Sequence, residues 1–296
     1  MFVAASDGTG LEPLTRFQLS AARDAVLSED GGRIAFTLGP PNGGRGAIYV
    51  VNSDGSGLLA AYAPRSLDPD GVTGATPFSP AVAGSLASAL GLNFTSDTIT
   101  DATSLPLPQA LGGVSLTMNG MPLPLLAVGP WQISAQILPE ETEGPAAFEV
   151  RFDDGTRSNP IAQIVKALGP AIFLLPDVRP NQAAVIHANT GAPADPAHPA
   201  QAGEALAIYA SGLGPTQPFV PAGTAAPADP PAITLARPEA AIGGKPAQVL
   251  FSGLAPGLVG VYQVNVVVPE GLRPGDNLVT LKVGNLAGSG GVISTK

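Results

Sequence analysis

Val114-Ser115-Leu116-Thr117-Met118-Asn119-Gly120 is the stretch on which the fold turns. Val114, Leu116 and Met118 fall on one side and Ser115, Thr117 and Asn119 on the other, the period of two that a half-buried β-strand requires. Asn119-Gly120 follows with two residues that tolerate positive φ, the chemistry of a tight hairpin turn. The pattern repeats outward along the chain. Phe148, Val150 and Phe152 alternate with Glu149 and Arg151 just before Asp154-Gly155. Tyr262, Val264 and Val266 alternate with Gln263 and Asn265; Val279, Leu281 and Val283 alternate with Thr280 and Lys282. Helical periodicity is weak almost everywhere, so the chain reads as all-β and predominantly antiparallel.

Composition supports many short strands. Of 296 residues, 37 are Gly and 32 Pro, nearly a quarter of the chain, while 45% are hydrophobic and 12% charged. Disorder needs low hydrophobicity and high net charge, so it does not describe this chain. Aromatics make up 5%, which leaves the cores to Val, Ile, Leu and Ala. The net charge is −9 and no basic stripe is present. Nucleic acid as a partner is therefore not expected, because its binding depends on cationic contacts to phosphates. Without Cys there are no disulfides, thiolate zinc sites or cysteine nucleophiles. Residues 102–139 carry no charge. Six prolines there, from Pro106 to Pro139, argue for uncharged strands and turns rather than a membrane span. The opening MFVAASDGTG has no cationic start and does not read as a secretory signal peptide.

Two internal repeats divide the chain. Ser6-Asp7-Gly8-Thr9-Gly10-Leu11 returns as Ser53-Asp54-Gly55-Ser56-Gly57-Leu58, 47 residues later. Between the copies lie Ile34-Ala35-Phe36 and Ala47-Ile48-Tyr49-Val50-Val51-Asn52, in the order strand, Asp-Gly turn, strand, loop, strand. A longer and more diverged repeat pairs Gly91-Leu92 with Gly212-Leu213, Gly120 with Gly244, and Gln132 with Gln263. These anchors predict two homologous sandwiches of about 100 residues each. The Pro-, Gly- and Asp-rich stretch 63–80 reads as a linker. The expected organisation is a single antiparallel sheet over 1–66, a first immunoglobulin-like β-sandwich over 67–168 and a second over 169–296.

The sheet of residues 5–62 resembles one blade of a TolB-like, WD-type β-propeller. Since a propeller closes with several blades, the resemblance implies a remnant or part of a longer protein. Further on, Leu105-Pro106-Leu107-Pro108, Leu111-Gly112-Gly113-Val114-Ser115-Leu116, Pro124-Leu125-Leu126 and Gln132-Ile133-Ser134 follow in order. They are continued by Pro170-Ala171-Ile172-Phe173, Tyr209-Ala210-Ser211-Gly212-Leu213-Gly214-Pro215, and Gly253-Leu254-Ala255-Pro256-Gly257 through Gln263-Val264-Asn265. In these motifs residues 75–290 resemble the Solibacter-type C-terminal domain, found at the ends of large surface or secreted proteins of soil acidobacteria. The resemblance implies an extracellular or cell-surface location and supplies no catalytic residue. One extra residue before Pro139, relative to that family's pattern, suggests a bulge.

Few residues offer chemistry. The two histidines, His187 and His198, share a Pro/Ala-rich segment with Asp195. An exposed loop is the favoured reading there over a metal site, which needs ligands converging from more places. Glu204 precedes an apolar run, and burial beside either histidine would make an acid–base pair. No G-x-S-x-G elbow occurs; Gly288-Ser289-Gly290-Gly291 is a Gly-rich tail. Gly39-Pro40-Pro41-Asn42-Gly43-Gly44 lacks the Lys and helix of a phosphate cradle. Asp68-Pro69-Asp70-Gly71 is weighed as a calcium loop against a plain linker turn, and the turn is preferred because the later oxygen ligands are missing. Asp153-Asp154 and the run Glu140, Glu141, Glu143 read as turn acids. Trp131, the only Trp, is weighed as sandwich core against a sugar platform, with core favoured. No catalytic residue, metal ligand or cofactor is assigned. The expected function is a non-enzymatic cell-surface or secreted structural, adhesion or binding module. A carbohydrate- or peptidoglycan-binding accessory is the alternative, with cell-wall polysaccharide or another surface protein as the partner, and a hydrolase using His187 or His198 is the third reading.

Overall fold

A computed structural model describes residues 2–3, 12–13, 20–40, 46–76, 79–96, 98–175 and 177–296, the first two pairs as backbone. Every regular element among them is a strand. None is a helix long and apolar enough to cross a membrane. Ser6–Leu11, the first copy of the short repeat, and most of the Gly39–Gly44 stretch lie outside the described residues.

β1 (Phe2–Val3) and β2 (Glu12–Pro13) form a separate antiparallel pair. β3 (Ala21–Leu27), β4 (Arg33–Gly39), β5 (Ala47–Asn52) and β6 (Leu59–Tyr62) form a four-stranded meander in chain order. The 47-residue repeat is visible in the pairing. Phe2 faces Pro13 and Val3 faces Glu12, as Tyr49 faces Ala60 and Val50 faces Leu59. The two strand pairs share one register, and in the sequence the same Ser-Asp-Gly run stands between the members of each. Ile34, Phe36, Leu38 and Val51 give this sheet a small core of its own, with Tyr49 and Ala22 packed against it.

The next segment builds a sandwich. One sheet runs β7 (Ser66–Gly74), β8 (Leu86–Leu92), β13 (Gln132–Gln136), β12 (Leu125–Val128), β9 (Thr100–Asp101). The other runs β11 (Met121–Pro122), β10 (Val114–Met118), β14 (Gly144–Phe152), β15 (Ile161–Val165). In chain order these are the A-B-E-D and C′-C-F-G sheets of an immunoglobulin-type sandwich. Inward-facing residues of both meet in one core, with Leu116, Met118, Phe148 and Val150 from one side and Leu125, Ile133 and Ala135 from the other. The linker expected over 63–80 is corrected here. β7 is the A strand, paired with β8, and its Asp68–Gly71 segment is accommodated as a bulge between Leu67 and Val72. Leu67 and Val72 are buried on either side of the turn-forming residues, and that burial holds the strand in the sheet.

The second sandwich repeats the plan with one difference. β16 (Ala171–Ile172) and β17 (Val185–His187) both pair with β18 (Ala205–Ser211). Beyond them come β19 (Thr216–Gln217), β20 (Ile233–Thr234), β21 (Glu239–Ile242), β22 (Lys245–Leu254), β23 (Tyr262–Val267), β24 (Gly275–Val283), β25 (Leu286–Ala287) and β26 (Gly291–Thr295). β18, β23 and the second half of β22 correspond to B, E and D; β21, β24 and β26 to C, F and G. The strands are hydrogen-bonded as one eleven-stranded sheet, because β22 belongs to both layers. Its residues 245–247 pair with β21 and residues 248–254 with β23, with a bulge between Val249 and Phe251. In the first sandwich Leu123 and Pro124 separate β11 from β12. Pro124 has no N–H, whereas its counterpart Gln248 pairs with Val267. The expected pair of sandwiches thus becomes one with two separate sheets and one whose layers β22 joins into a continuous half-barrel.

The two bodies meet on buried polar contacts. Gly212 N donates to Ser85 Oγ at 3.0 Å and Gly223 N to Gln136 Oε1 at 2.6 Å. Leu107 N donates to Gly223 O at 2.8 Å. Ser85, Gln136 and Tyr262 are all buried. Burial pushes the Tyr262 phenol up to about 12, and its hydroxyl donates to Gly214 O at 2.6 Å.

Candidate functional site

The loops at one end of the first sandwich, where its B–C and F–G connections lie together, meet the N-terminal sheet across a cleft of about 550 Å³. Asn93, Thr98, Thr100 and Gly113 come from the B–C side, Asp153 from the F–G hairpin, and Tyr49 from β5. Arg65, just before β7, closes one wall. Its guanidinium lies 4.4 Å from the Phe152 ring centroid and donates to Asp154 Oδ2 at 2.5 Å and Thr156 Oγ1 at 2.9 Å. The Thr156 hydroxyl and N–H, followed by Arg65, hold the Asp154 carboxyl down at about 2.

The backbone around the cleft is fixed by specific residues. Asn159 gives and takes a hydrogen bond with Leu67, as a neighbouring strand would, and so anchors the start of β7. Asn93 Nδ2 donates to Pro64 O at 3.0 Å, beside Arg65. Gly113 has φ +76°, and a Cβ there would lie 2.8 Å from Asp153 Oδ2. Glycine is therefore what lets that carboxylate settle over the backbone. Tyr49 stacks on Phe36 with ring centroids 6.1 Å apart, and burial raises its phenol. The hydroxyls of Tyr49, Ser96 and Thr100 and the Asp153 carboxylate make no hydrogen bond among the described residues.

A second polar cluster lies in the segment between β16 and β18. His187 is buried at 7% exposure. Its Nε2 donates to His198 O at 2.9 Å, and its Nδ1 lies 2.5 Å from Glu204 Oε1. A carbonyl only accepts, so Nε2 carries a hydrogen, and one proton is shared between Nδ1 and Glu204. Burial lowers the His187 pKa, but the Glu204 hydrogen bond, the His198 carbonyl and the Glu204 and Asp195 charges together raise it. Glu204 is lowered, because the His187 bond and the Gln201 N–H outweigh its burial. Asp195 accepts from Ala197 N and His198 N and bonds the His198 ring at 3.1 Å.

The loop setting expected for the histidines holds only for His198; His187 sits at the end of β17, inside the sheet. Glu204 and His187 come together as the conditional reading allowed, but both imidazole nitrogens are engaged. The expected core role of Trp131 is corrected. It is half-buried outside the hydrophobic clusters, and its Nε1 donates to Ser20 Oγ at 3.2 Å, tying the N-terminal sheet to β13. At that position in the second sandwich stands Tyr262, buried at 2% exposure. The smaller ring fits inside, whereas indole is directed to the boundary. No group of three or more metal-ligating side chains occurs among the described residues, Asp68 and Asp70 included. Glu143 pairs with Lys166 at 3.1 Å, Glu141 accepts from Asn119, and Glu140 is exposed. Gly288 backs onto Pro170, where a Cβ would lie 2.1 Å from its carbonyl. The β8–β13 register runs unshifted from Gln132 to Gln136 and ends before the extra residue ahead of Pro139, while β12 shifts against β13 between Leu125 and Ala127. Arg65 and Thr100 stand in no sequence motif and Tyr49 only in a strand of the short repeat, because the cleft joins segments far apart in the chain.

No protein-family model and no curated protein matches the chain. Among solved structures it is similar to SGBP-B of the Bacteroides ovatus mixed-linkage glucan utilization locus, solved in complex with a mixed-linkage heptasaccharide. The identity is 12% and the TM-score 0.35, over 89% of this chain and 52% of that one. It is also similar to the gamma-CGTase of an alkalophilic Bacillus clarkii, with 16% identity and a TM-score of 0.25, over 100% and 34%. A third is the D00–D0 domain of intimin, with 12% identity and a TM-score of 0.19, over 77% and 98%. This chain spans about half the length of the first.

Proposed function

We propose that this protein is a non-catalytic surface module that presents a binding site on a rigid β scaffold, divided near residues 66 and 168 into an N-terminal sheet and two immunoglobulin-like units. The Glu204–His187 pair carries this reading. It is the one acid–base arrangement that the sequence left open, and it holds a loop closed. His187 uses Nε2 on a backbone carbonyl and Nδ1 on Glu204, and Glu204 Oε2 also accepts from Gln201 N at 3.0 Å. A general base needs a free lone pair within reach of its substrate, and this imidazole offers none. The other paired acids behave alike: Asp154 is bound to Thr156 and Arg65, and Asp276 to Arg179 and Ser294. Loops projecting from a packed sandwich are a common setting for recognition. Cell-surface location and adhesion belong to this reading through the resemblance in the sequence.

Incubating the full chain with polysaccharide, ester and peptide substrates tests it. Hydrolysis at the uncatalysed rate is the expected result. Turnover that disappears in Glu204→Gln, with folding retained, overturns the reading.

A further inference from the structure

We propose that the cleft between the N-terminal sheet and the loop end of the first sandwich binds a neutral glycan. The proposal rests on the binding-module reading and names the ligand class of its site. At about 550 Å³ the cleft falls within the range of small-molecule sites, ~300–1,000 Å³, and takes a short oligosaccharide segment.

Its chemistry selects hydroxyl-rich ligands. Tyr49, Ser96 and Thr100 line it with hydroxyls that both donate and accept, as sugar hydroxyls do. Among the described residues none of the three is engaged, nor is the Asp153 carboxylate, a pure acceptor. Arg65 adds the opposite polarity: Nη1 is held by Asp154 and Thr156, and the rest of the fork remains to donate at the lip. Tyr49 also supplies a ring braced from behind by Phe36. A pyranose has an apolar C–H face and a polar rim, the same division that a tyrosine presents.

Charge decides between neutral and acidic glycans. The guanidinium is already compensated by Asp154, Asp153 lines the same cleft, and the whole chain carries −9. No uncompensated cation is left for a uronate, phosphate or sulfate group. The walls are also set before any ligand arrives. Arg65 is stacked and bonded, Gly113 seats Asp153, and Asn159 and Asn93 hold the chain on both sides of Arg65, so little ordering accompanies binding.

The full chain is tested on an array of neutral and acidic cell-wall glycans, followed by calorimetry with the strongest neutral oligosaccharide. Tyr49→Leu and Asp153→Ala are each expected to weaken binding by about tenfold, the effect of one lost polar or stacking contact. Lys282→Ala, remote from the cleft, leaves it unchanged. Affinity is expected to stay constant between about 50 and about 500 mM salt, as an uncharged ligand requires. If Tyr49→Leu unfolds the small sheet, as circular dichroism would reveal, Tyr49→Phe and Asp153→Ala carry the test. The proposal is overturned by no binding to any neutral glycan, by binding that these variants leave intact, or by binding confined to acidic polymers. Each of those results leaves the non-catalytic reading standing, since only turnover removes it.

Discussion

His187 shows how one side chain couples a loop to protonation. Its pKa is raised in the folded state from the ordinary 6.5. The stabilisation is therefore complete below about 6.5 and is lost as pH rises through the higher folded value. Glu204 is lowered from 4.5, so its share is complete above about 4.5 and is lost as pH falls through the lower folded value. Thermal unfolding followed across pH should show the chain most stable between these limits. Glu204→Gln keeps the shape of the side chain but removes the charge. It should lower stability by about 1–3 kcal/mol, the range for a buried partner left unsatisfied, and flatten the alkaline fall. An unchanged pH profile in that variant would show that the pair does not contribute. The fixed imidazole was not legible in the sequence, because the bond to Glu204 depends on β17 lying against β18.

At the scale of elements, the two-residue turns explain why a diverged repeat stays detectable. Asn119-Gly120 has φ +52° and +81°, and Gly243-Gly244 has +57° and +76°. Both close a two-residue hairpin, Met118 facing Met121 and Ile242 facing Lys245. The left-handed conformation penalises a side chain whatever the surrounding space, so sequence drift spares these positions. No atom lies within 4 Å of a Cβ built at Gly244. Gly244→Ala should therefore cost about 1 kcal/mol through backbone strain alone. Equilibrium denaturation would measure it, and a neutral result would mean that the turn relaxes to another type. Residues 66–74 run as a strand, not as a linker, for the complementary reason. Pro69 and Gly71 signal a break in local terms, yet burial of Leu67 and Val72 carries the strand past it.

At the scale of the molecule, the junction of the two sandwiches is a packed contact. Gly212 has φ +74°, and a Cβ there would lie 2.0 Å from Gly169 O. On the other side of the junction, Gln136 is buried and holds Gly223 N while its own Nε2 donates to Gly84 O. Removing that amide strands a buried N–H, which costs about 1–3 kcal/mol. The intact chain should unfold the two sandwiches in a single transition. Gln136→Ala should separate the transition into two in calorimetry, because the contact couples the bodies. A single transition at an unchanged midpoint would indicate that other contacts suffice.

Strand periodicity, the hairpin turns and the anchors at Gly120/Gly244 and Gln132/Gln263 are legible from the order of the residues. All of these depend on neighbours in the chain: alternation sets which face is buried, and positive φ selects Gly or Asn. In the structure the Gly120/Gly244 pair closes corresponding C–C′ turns and Gln132 and Gln263 lie on corresponding E strands. The Gly91/Gly212 anchor is corrected: Gln132 faces Leu90 and Gln263 faces Tyr209, so Ala210 is the counterpart of Gly91, and Gly212 lies just beyond β18. The unbroken run of β22 through both layers, the direction of Trp131 and the meeting of Tyr49, Arg65, Thr100 and Asp153 in one cleft are not legible in the order of the residues. Those outcomes follow from contacts between segments up to about a hundred residues apart. No local pattern encodes such contacts, because what brings the segments together is the burial of two cores, and that is a property of the assembled sheets.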